Sequence, residues 1–149
     1  MLFDVDGVLT DGTLWYGPEG EQLKAFYAHD GHGIRMLAAS GVAVALLSGR
    51  RSKAVAIRAR ELGIKRVFQA VDDKLAVFRK ILKKEKLPAE AAGFMGDELV
   101  DLPVLEHCGF ACAPPEAPAA VRSRVHYVTE APAGRGAARE LCDLLVRAR

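Results

Sequence analysis

The sequence predicts an α/β fold, a parallel sheet with helices on both faces in three layers. Short apolar runs alternate with amphipathic helical patterns along the whole chain, the signature of strands joined by crossover helices. Polar residues of different chemistry follow one strand after another, at the edge where open parallel sheets bind ligands. The 149 residues, half of them hydrophobic and 27% charged, suit a single domain spanning 1–149 with a real core.

Met1-Leu2-Phe3 leads into Asp4-Val5-Asp6-Gly7. Strand alternation has period two, so Asp4 and Asp6 would share a face if the strand continued. A loop opening at Gly7 turns both toward the strand's carboxyl end. The lead-in is short for a buried first strand, and the natural chain is expected to begin upstream of Met1. From Thr13 to Tyr27 the rhythm breaks into a projecting β-hairpin: Leu14-Trp15-Tyr16, a Gly17-Pro18-Glu19-Gly20 turn, then Gln22 to Tyr27. Its exposed aromatics Trp15, Tyr16, Phe26 and Tyr27 need cover, and subunit pairing is the expected one.

After one helix, Val42 to Leu47 reads as a fully buried strand ending at Ser48-Gly49-Arg50. A helix with Val55, Ala59 and Leu62 on its apolar face follows, closed at Gly63. Val67-Phe68 begins a short strand, and Leu75, Phe78 and Leu82 mark a helix stopped near Pro88. Ala92 to Met95 is a strand ending at Gly96-Asp97. Phe110 to Ala113 and Tyr127-Val128 are weaker strands. The last helix carries Ala137, Leu141, Leu144, Leu145 and Ala148 on its buried face. No repeat, low-complexity tract or linker interrupts the pattern.

A formal charge of +2, with no basic block interleaved with aromatics, argues against nucleic acid as a partner. Cys108, Cys112 and Cys142 form no CxxC pair and read as buried, reduced thiols of a cytoplasmic protein. Signal-peptide and membrane-spanning patterns are absent from the sequence; its longest apolar stretch, Gly41 to Leu47, has strand length.

Asp4 and Asp6 would repel each other unless a cation or a shared proton held them. That requirement points to a metal-assisted site with one carboxylate as nucleophile and the other as acid and base. The bland alternative is an Asp- and Gly-rich turn. Ser48 could equally be an N-cap, Lys74 a solvated helix residue, and Gly96-Asp97 a turn. Their common order and placement is far more specific than any one of them.

Taken together, Asp4-Val5-Asp6, Ser48, Lys74 and Gly96-Asp97-Glu98-Leu99-Val100-Asp101 resemble the haloacid dehalogenase superfamily of phosphotransferases, in which these four parts occur in this order. The resemblance implies a Rossmann-like fold with Mg²⁺ held by Asp4, Asp97 and the backbone carbonyl of Asp6. It implies Asp4 as nucleophile, forming an aspartyl phosphate, and Asp6 as the acid that protonates the leaving alkoxide and then activates water. Lys74 would supply positive charge. Ser48 and backbone N–H groups after Asp4, Gly7 among them, would hold phosphoryl oxygens. Asp101 would orient Lys74 or a metal-bound water, with Glu98 nearby. Neither Asp6–Ser48 nor Lys74–Asp97 has room for a separate cap, so a capless member is expected.

The finer pattern resembles the 3-deoxy-D-manno-octulosonate 8-phosphate phosphatase family of lipopolysaccharide synthesis. It is carried by Asp4 to Gly12, Phe26 with Asp30-Gly31-His32-Gly33-Ile34, Leu47-Ser48-Gly49-Arg50, Gly96 to Pro103, and Gly134-Arg135-Gly136-Ala137-Ala138-Arg139-Glu140. Glu98 stands where many members have a second Asp. The resemblance implies a capless homotetramer whose neighbouring subunits help close each site, acting on a small sugar-acid phosphate. Gly49, Arg50 and Arg135 are expected to line the substrate. Arg50, Arg51 and Arg135 are candidates for its carboxylate, Arg51 being otherwise a solvated helix start. Gly134-Arg135-Gly136 is expected to close a neighbour's site, with free N–H groups at the following helix start favouring an anion. Relatives acting on nine-carbon sugar acids, receiver-like domains and catalytically dead scaffolds are the alternatives. Receivers carry their phosphoacceptor after the third strand, unlike the paired acids here.

Overall fold

The computed structural model describes residues 1–148; of Glu21 and Gln22 only the backbone is described. Six strands form one parallel sheet: β1 (Leu2–Phe3), β4 (Ala45–Leu47), β5 (Arg66–Phe68), β6 (Gly93–Met95), β7 (Phe110–Ala113) and β8 (Tyr127–Val128). Their spatial order is β5-β4-β1-β6-β7-β8, every neighbouring pair parallel. Strands β2 (Trp15–Gly17) and β3 (Gly20–Leu23) make the separate antiparallel hairpin that the sequence predicts.

Register explains the core. Leu2, Ala45, Phe94 and Ala111 lie in one row across four strands, and Phe3, Leu46, Met95 and Cys112 in the next. The first row packs with Phe78, Ile81 and Leu82 of α3 (Lys74–Glu85), Val104 and Leu105 of α4 (Leu102–Leu105), and Val121 of α5 (Ala119–Arg122). The second row packs with Ile34 and Leu37 of α1 (Ala28–Ala39), Val55 and Ala59 of α2 (Lys53–Glu61), and Leu141 and Cys142 of α6 (Ala137–Arg147). Successive side chains thus face opposite layers, and strands covered on both faces are apolar throughout.

Two expectations need correction. The strand expected over Val42–Leu47 is regular only from Ala45. On α6, Leu144 and Ala148 face outward; Ala138 and Cys142 take their place inward, because the helix packs on α1 through a face rotated from the one expected. Short as it is, β1 is the sheet's centre, held by β4 on one side and β6 on the other. The paired acids therefore follow the first strand, at the middle of the sheet. All three cysteines are buried and free. Among the described residues no helix is long and apolar enough to cross a membrane.

Candidate active site

Three adjacent strands end at one point. Asp4 leaves β1 with its N–H donating to Met95 O at 2.9 Å. Ser48 leaves β4, and Gly96-Asp97 leaves β6. Beyond Asp4 the chain turns at once: the Val5 carbonyl accepts from the N–H groups of Leu9 (2.9 Å) and Thr10 (3.1 Å). Gly7 makes that turn at φ +83°, and a Cβ there would lie 2.0 Å from Asp97 Oδ2. Only glycine lets the first loop approach the Asp97 carboxylate so closely.

Lys74 opens α3 behind Asp73, whose Oδ1 caps the helix by accepting from Ala76 N at 2.9 Å. Its buried ammonium lies 2.8 Å from Asp4 Oδ2 and 2.6 Å from Asp101 Oδ1. The other Asp101 oxygen accepts from the N–H groups of Asp97 (3.0 Å) and Glu98 (3.2 Å). Both oxygens of this fully buried carboxylate are thus committed to protein.

Asp97 differs. Its Oδ1 is the one buried side-chain oxygen or nitrogen among the described residues with no hydrogen-bond partner. Carboxylate oxygens of Asp4, Asp97 and Asp101 lie within 4.8 Å of one another. Were all three carboxyls ionised, one ammonium would leave an excess of two negative charges. Burial, then repulsion from Asp4 and Asp101, pushes the Asp97 carboxyl up to about 8. Burial and Asp101 push Asp4 up to about 6 against the opposing pull of Lys74. Lys74 itself is raised: burial opposes its charge, but Asp4 and Asp101 prevail. A bare oxygen, clustered hard donors and the mutual repulsion of the carboxylates fit a divalent cation.

A pocket of about 420 Å³ opens at this edge, lined by Asp4, Asp6, Ser48, Arg50, Asp72 and Lys74 among others. Gly49 and Glu98 also border it, whereas Gly7, Arg51 and Arg135 do not. Asp6 sits at the mouth, and its carboxylate meets the ammonium of Lys24 from the hairpin. Gly134-Arg135-Gly136 packs on the first loop of its own chain: Gly134 N donates to Val8 O at 3.0 Å, and a Cβ there would lie 2.4 Å from Thr10 C. The start of α6 is not open to an anion in the way expected. Asp30 already accepts from Gly136 N (3.3 Å) and Arg139 N (2.8 Å).

Sequence reasoning missed Lys24 and Asp72. Asp72 precedes Lys74 by two residues and could have been found as the remaining acid of that loop. Lys24 carries no local signal, because its partner is 18 residues away.

No family model matches the chain. The 3-deoxy-D-manno-octulosonate 8-phosphate phosphatase of Escherichia coli (strain K12) is 43% identical over 148 residues, which are 99% of this chain and 79% of that protein. The crystal structure of the phosphatase of that name from Moraxella catarrhalis, in complex with magnesium ion, phosphate ion and KDO, superposes with a TM-score of 0.96 at 38% identity, covering 99% of this chain and 85% of that one. The cobalt-bound Haemophilus influenzae phosphatase gives a TM-score of 0.96 at 40% identity, covering 99% and 86%. With the acidic centre, the central β1 and the hairpin all in place, the chain belongs to the 3-deoxy-D-manno-octulosonate 8-phosphate phosphatase family of the haloacid dehalogenase superfamily.

Proposed function

We propose that the chain is an Mg²⁺-dependent phosphomonoesterase that hydrolyses 3-deoxy-D-manno-octulosonate 8-phosphate to the free sugar acid and phosphate, in lipopolysaccharide precursor synthesis. The observation that carries this reading is the partnerless, buried Asp97 oxygen clustered with Asp4, which with Lys74 lines a pocket of about 420 Å³. The magnesium, phosphate and KDO bound to the Moraxella catarrhalis relative support it.

Asp97, Asp4 and the backbone carbonyl of Asp6 would hold the cation, while the fully buried Asp101 would hold Lys74 and the Asp97 and Glu98 N–H groups. The chemistry supplied by Mg²⁺ when bound is neutralisation of the phosphoryl charge. Lys74 adds a fixed positive charge beside Asp4 and holds that carboxylate in place. Asp4 attacks phosphorus in line, and Asp6 gives a proton to the departing sugar oxygen. Water then attacks the aspartyl phosphate, Asp6 takes its proton, and Asp4 is released. Ser48 and the N–H groups near Gly7 and Gly49 hold phosphoryl oxygens, while Arg50 and, from a neighbouring subunit, Arg135 meet the sugar acid.

The reading includes a single catalytic domain over 1–149, a cytoplasmic setting and a homotetramer. Exposure of Trp15 (57%), Tyr16 (63%) and Leu23 (65%) on the hairpin supports subunit pairing. Light scattering should give about four times the 16.1 kDa chain mass; an active monomer would refute that part. The deciding assay is phosphate release over eight- and nine-carbon sugar-acid phosphates, with and without Mg²⁺. Metal-dependent turnover highest on the eight-carbon ester is expected. Preference for the nine-carbon ester would reassign the substrate, and no hydrolysis would reduce the chain to a binding scaffold.

A further inference from the structure

We propose that Lys24, carried by the hairpin, is the positioning residue that fixes which oxygen of Asp6 handles the proton. The inference rests on Asp6 being the acid and base of the proposed reaction. Lys24 donates to Asp6 Oδ1 and forms an ion pair with it. The Lys24 side chain is 1% exposed, and that of Asp6 19%. Ordering and desolvating a lysine is costly. Mere anchoring of the hairpin is already achieved by Phe26, two residues on, which packs against the core. A second polar tether points the same way. Arg50, from the pocket wall, donates to the Tyr16 hydroxyl at 3.2 Å, so strand β2 and the residue that follows β3 both connect to the site.

The chemistry explains why a cation is placed there. An untethered carboxyl rotates and exchanges its two oxygens. With Oδ1 held by the ammonium, Oδ2 is left for the substrate. A carboxyl keeps an acceptor oxygen in both protonation states, so the same contact survives the whole cycle. In the first step the bond from Asp4 to phosphorus forms, the ester P–O bond breaks, and the Oδ2 proton goes to the leaving oxygen. In the second, water forms the new P–O bond, its proton goes to Oδ2, and the Asp4–phosphorus bond breaks. Lys24 does not line the pocket, so it acts through Asp6.

The test compares kcat/KM on an alkyl ester, the sugar-acid phosphate, with kcat/KM on p-nitrophenyl phosphate, whose phenolate leaves with little protonation. General acid assistance is worth about 10²–10⁴-fold, so Lys24→Met should lower kcat/KM on the alkyl ester by about tenfold or more and on the aryl ester by about threefold or less. Lys24→Arg should recover most of the loss. Should Lys24→Met not fold, Lys24→Gln, which keeps a donor on a similar stem, should show the same selectivity at smaller size. Equal losses on both esters, or none, would overturn the proposal. Asp6→Asn separates the two levels. If it also fails to discriminate between esters, the reading of Asp6 falls and this inference with it. If it discriminates and the Lys24 variants do not, only the role of Lys24 falls.

Discussion

Two groups of enclosed carboxylates serve opposite ends. At the start of α6, Asp30 accepts from two backbone N–H groups, and Glu140 accepts from the Tyr127 hydroxyl at 2.6 Å and the N–H groups of Glu130 (3.0 Å) and Ala131 (2.8 Å). Every oxygen there is matched. At the strand ends, Asp97 keeps a bare Oδ1 beside Asp4, whose own oxygens take the Val5 N–H at 2.7 Å and the Lys74 ammonium at 2.8 Å. A satisfied buried carboxylate organises backbone; an unsatisfied one stores repulsion that a ligand can relieve. Asp4 and Asp101 lie inside the acidic centre with a partner on each oxygen, so the bare oxygen there is that of Asp97. The contrast, more than the number of acids, marks where a cation would fit.

The sharpest way to break this contrast is Asp4→Asn. An amide cannot form the acyl phosphate, so phosphate release should be abolished while the fold persists by circular dichroism. Near-normal turnover by the purified variant would remove Asp4 from the chemistry. Next in size is metal removal. EDTA should silence the enzyme and Mg²⁺ restore it, with Ca²⁺ a poor substitute because its larger shell misplaces the reacting groups. Mg²⁺ should also raise Tm, as a ligand binding only the folded state must, and much less in Asp97→Asn. An equal rise in both would place the cation elsewhere.

The satisfied group should respond in stability instead. Glu140→Ala should cost about 1–2 kcal/mol in denaturant unfolding, a range that allows for its partial exposure to water. The same variant at saturating Mg²⁺ should retain near-normal kcat. Partial burial pushes the Glu140 carboxyl up, but the Tyr127 hydroxyl and the Ala131 and Glu130 N–H groups together hold it below its ordinary value of 4.5. Its stabilising contribution is therefore complete above pH 4.5 and is lost as pH falls through the lowered folded-state value. Glu140→Gln should flatten the acid limb of a stability–pH curve; an unchanged limb would contradict the linkage. Smallest is Arg135→Ala, expected to raise KM for the sugar-acid phosphate by about tenfold, the scale of one charged hydrogen bond. A generic ester lacking the carboxylate should be affected less, and no change on either would return the segment to packing.

The frame proposed for catalysis was legible because its members stand at strand ends. Asp4, Ser48, Lys74 and Asp97 each follow or open an element with strong apolar patterning, and a parallel sheet gathers such positions automatically. Their differing electrostatic fates were not legible. Whether Asp97 or Asp101 is left bare depends on the Asp97 and Glu98 N–H groups, which lead into a short 3₁₀ turn at Leu99–Asp101 and donate back to Asp101. Lys24 escaped because a hairpin closes at no fixed angle in sequence space, so nothing near position 24 announces Asp6. The inward face of α6 was misjudged for a related reason. Leu144 fits an apolar periodicity, but the docking against α1 selects Ala138 and Cys142 instead.

The contact between Gly7 and the Asp97 carboxylate makes an absent side chain part of the acidic centre. A methyl at position 7 would overlap the oxygens of Asp97, 90 residues further along the chain, besides straining a φ of +83°. Variation at a residue with no side-chain donor would therefore register in titrations as weakened cation affinity. A scan that sorted positions by phenotype alone would score Gly7 as a ligand, when what it contributes is the room in which one is held.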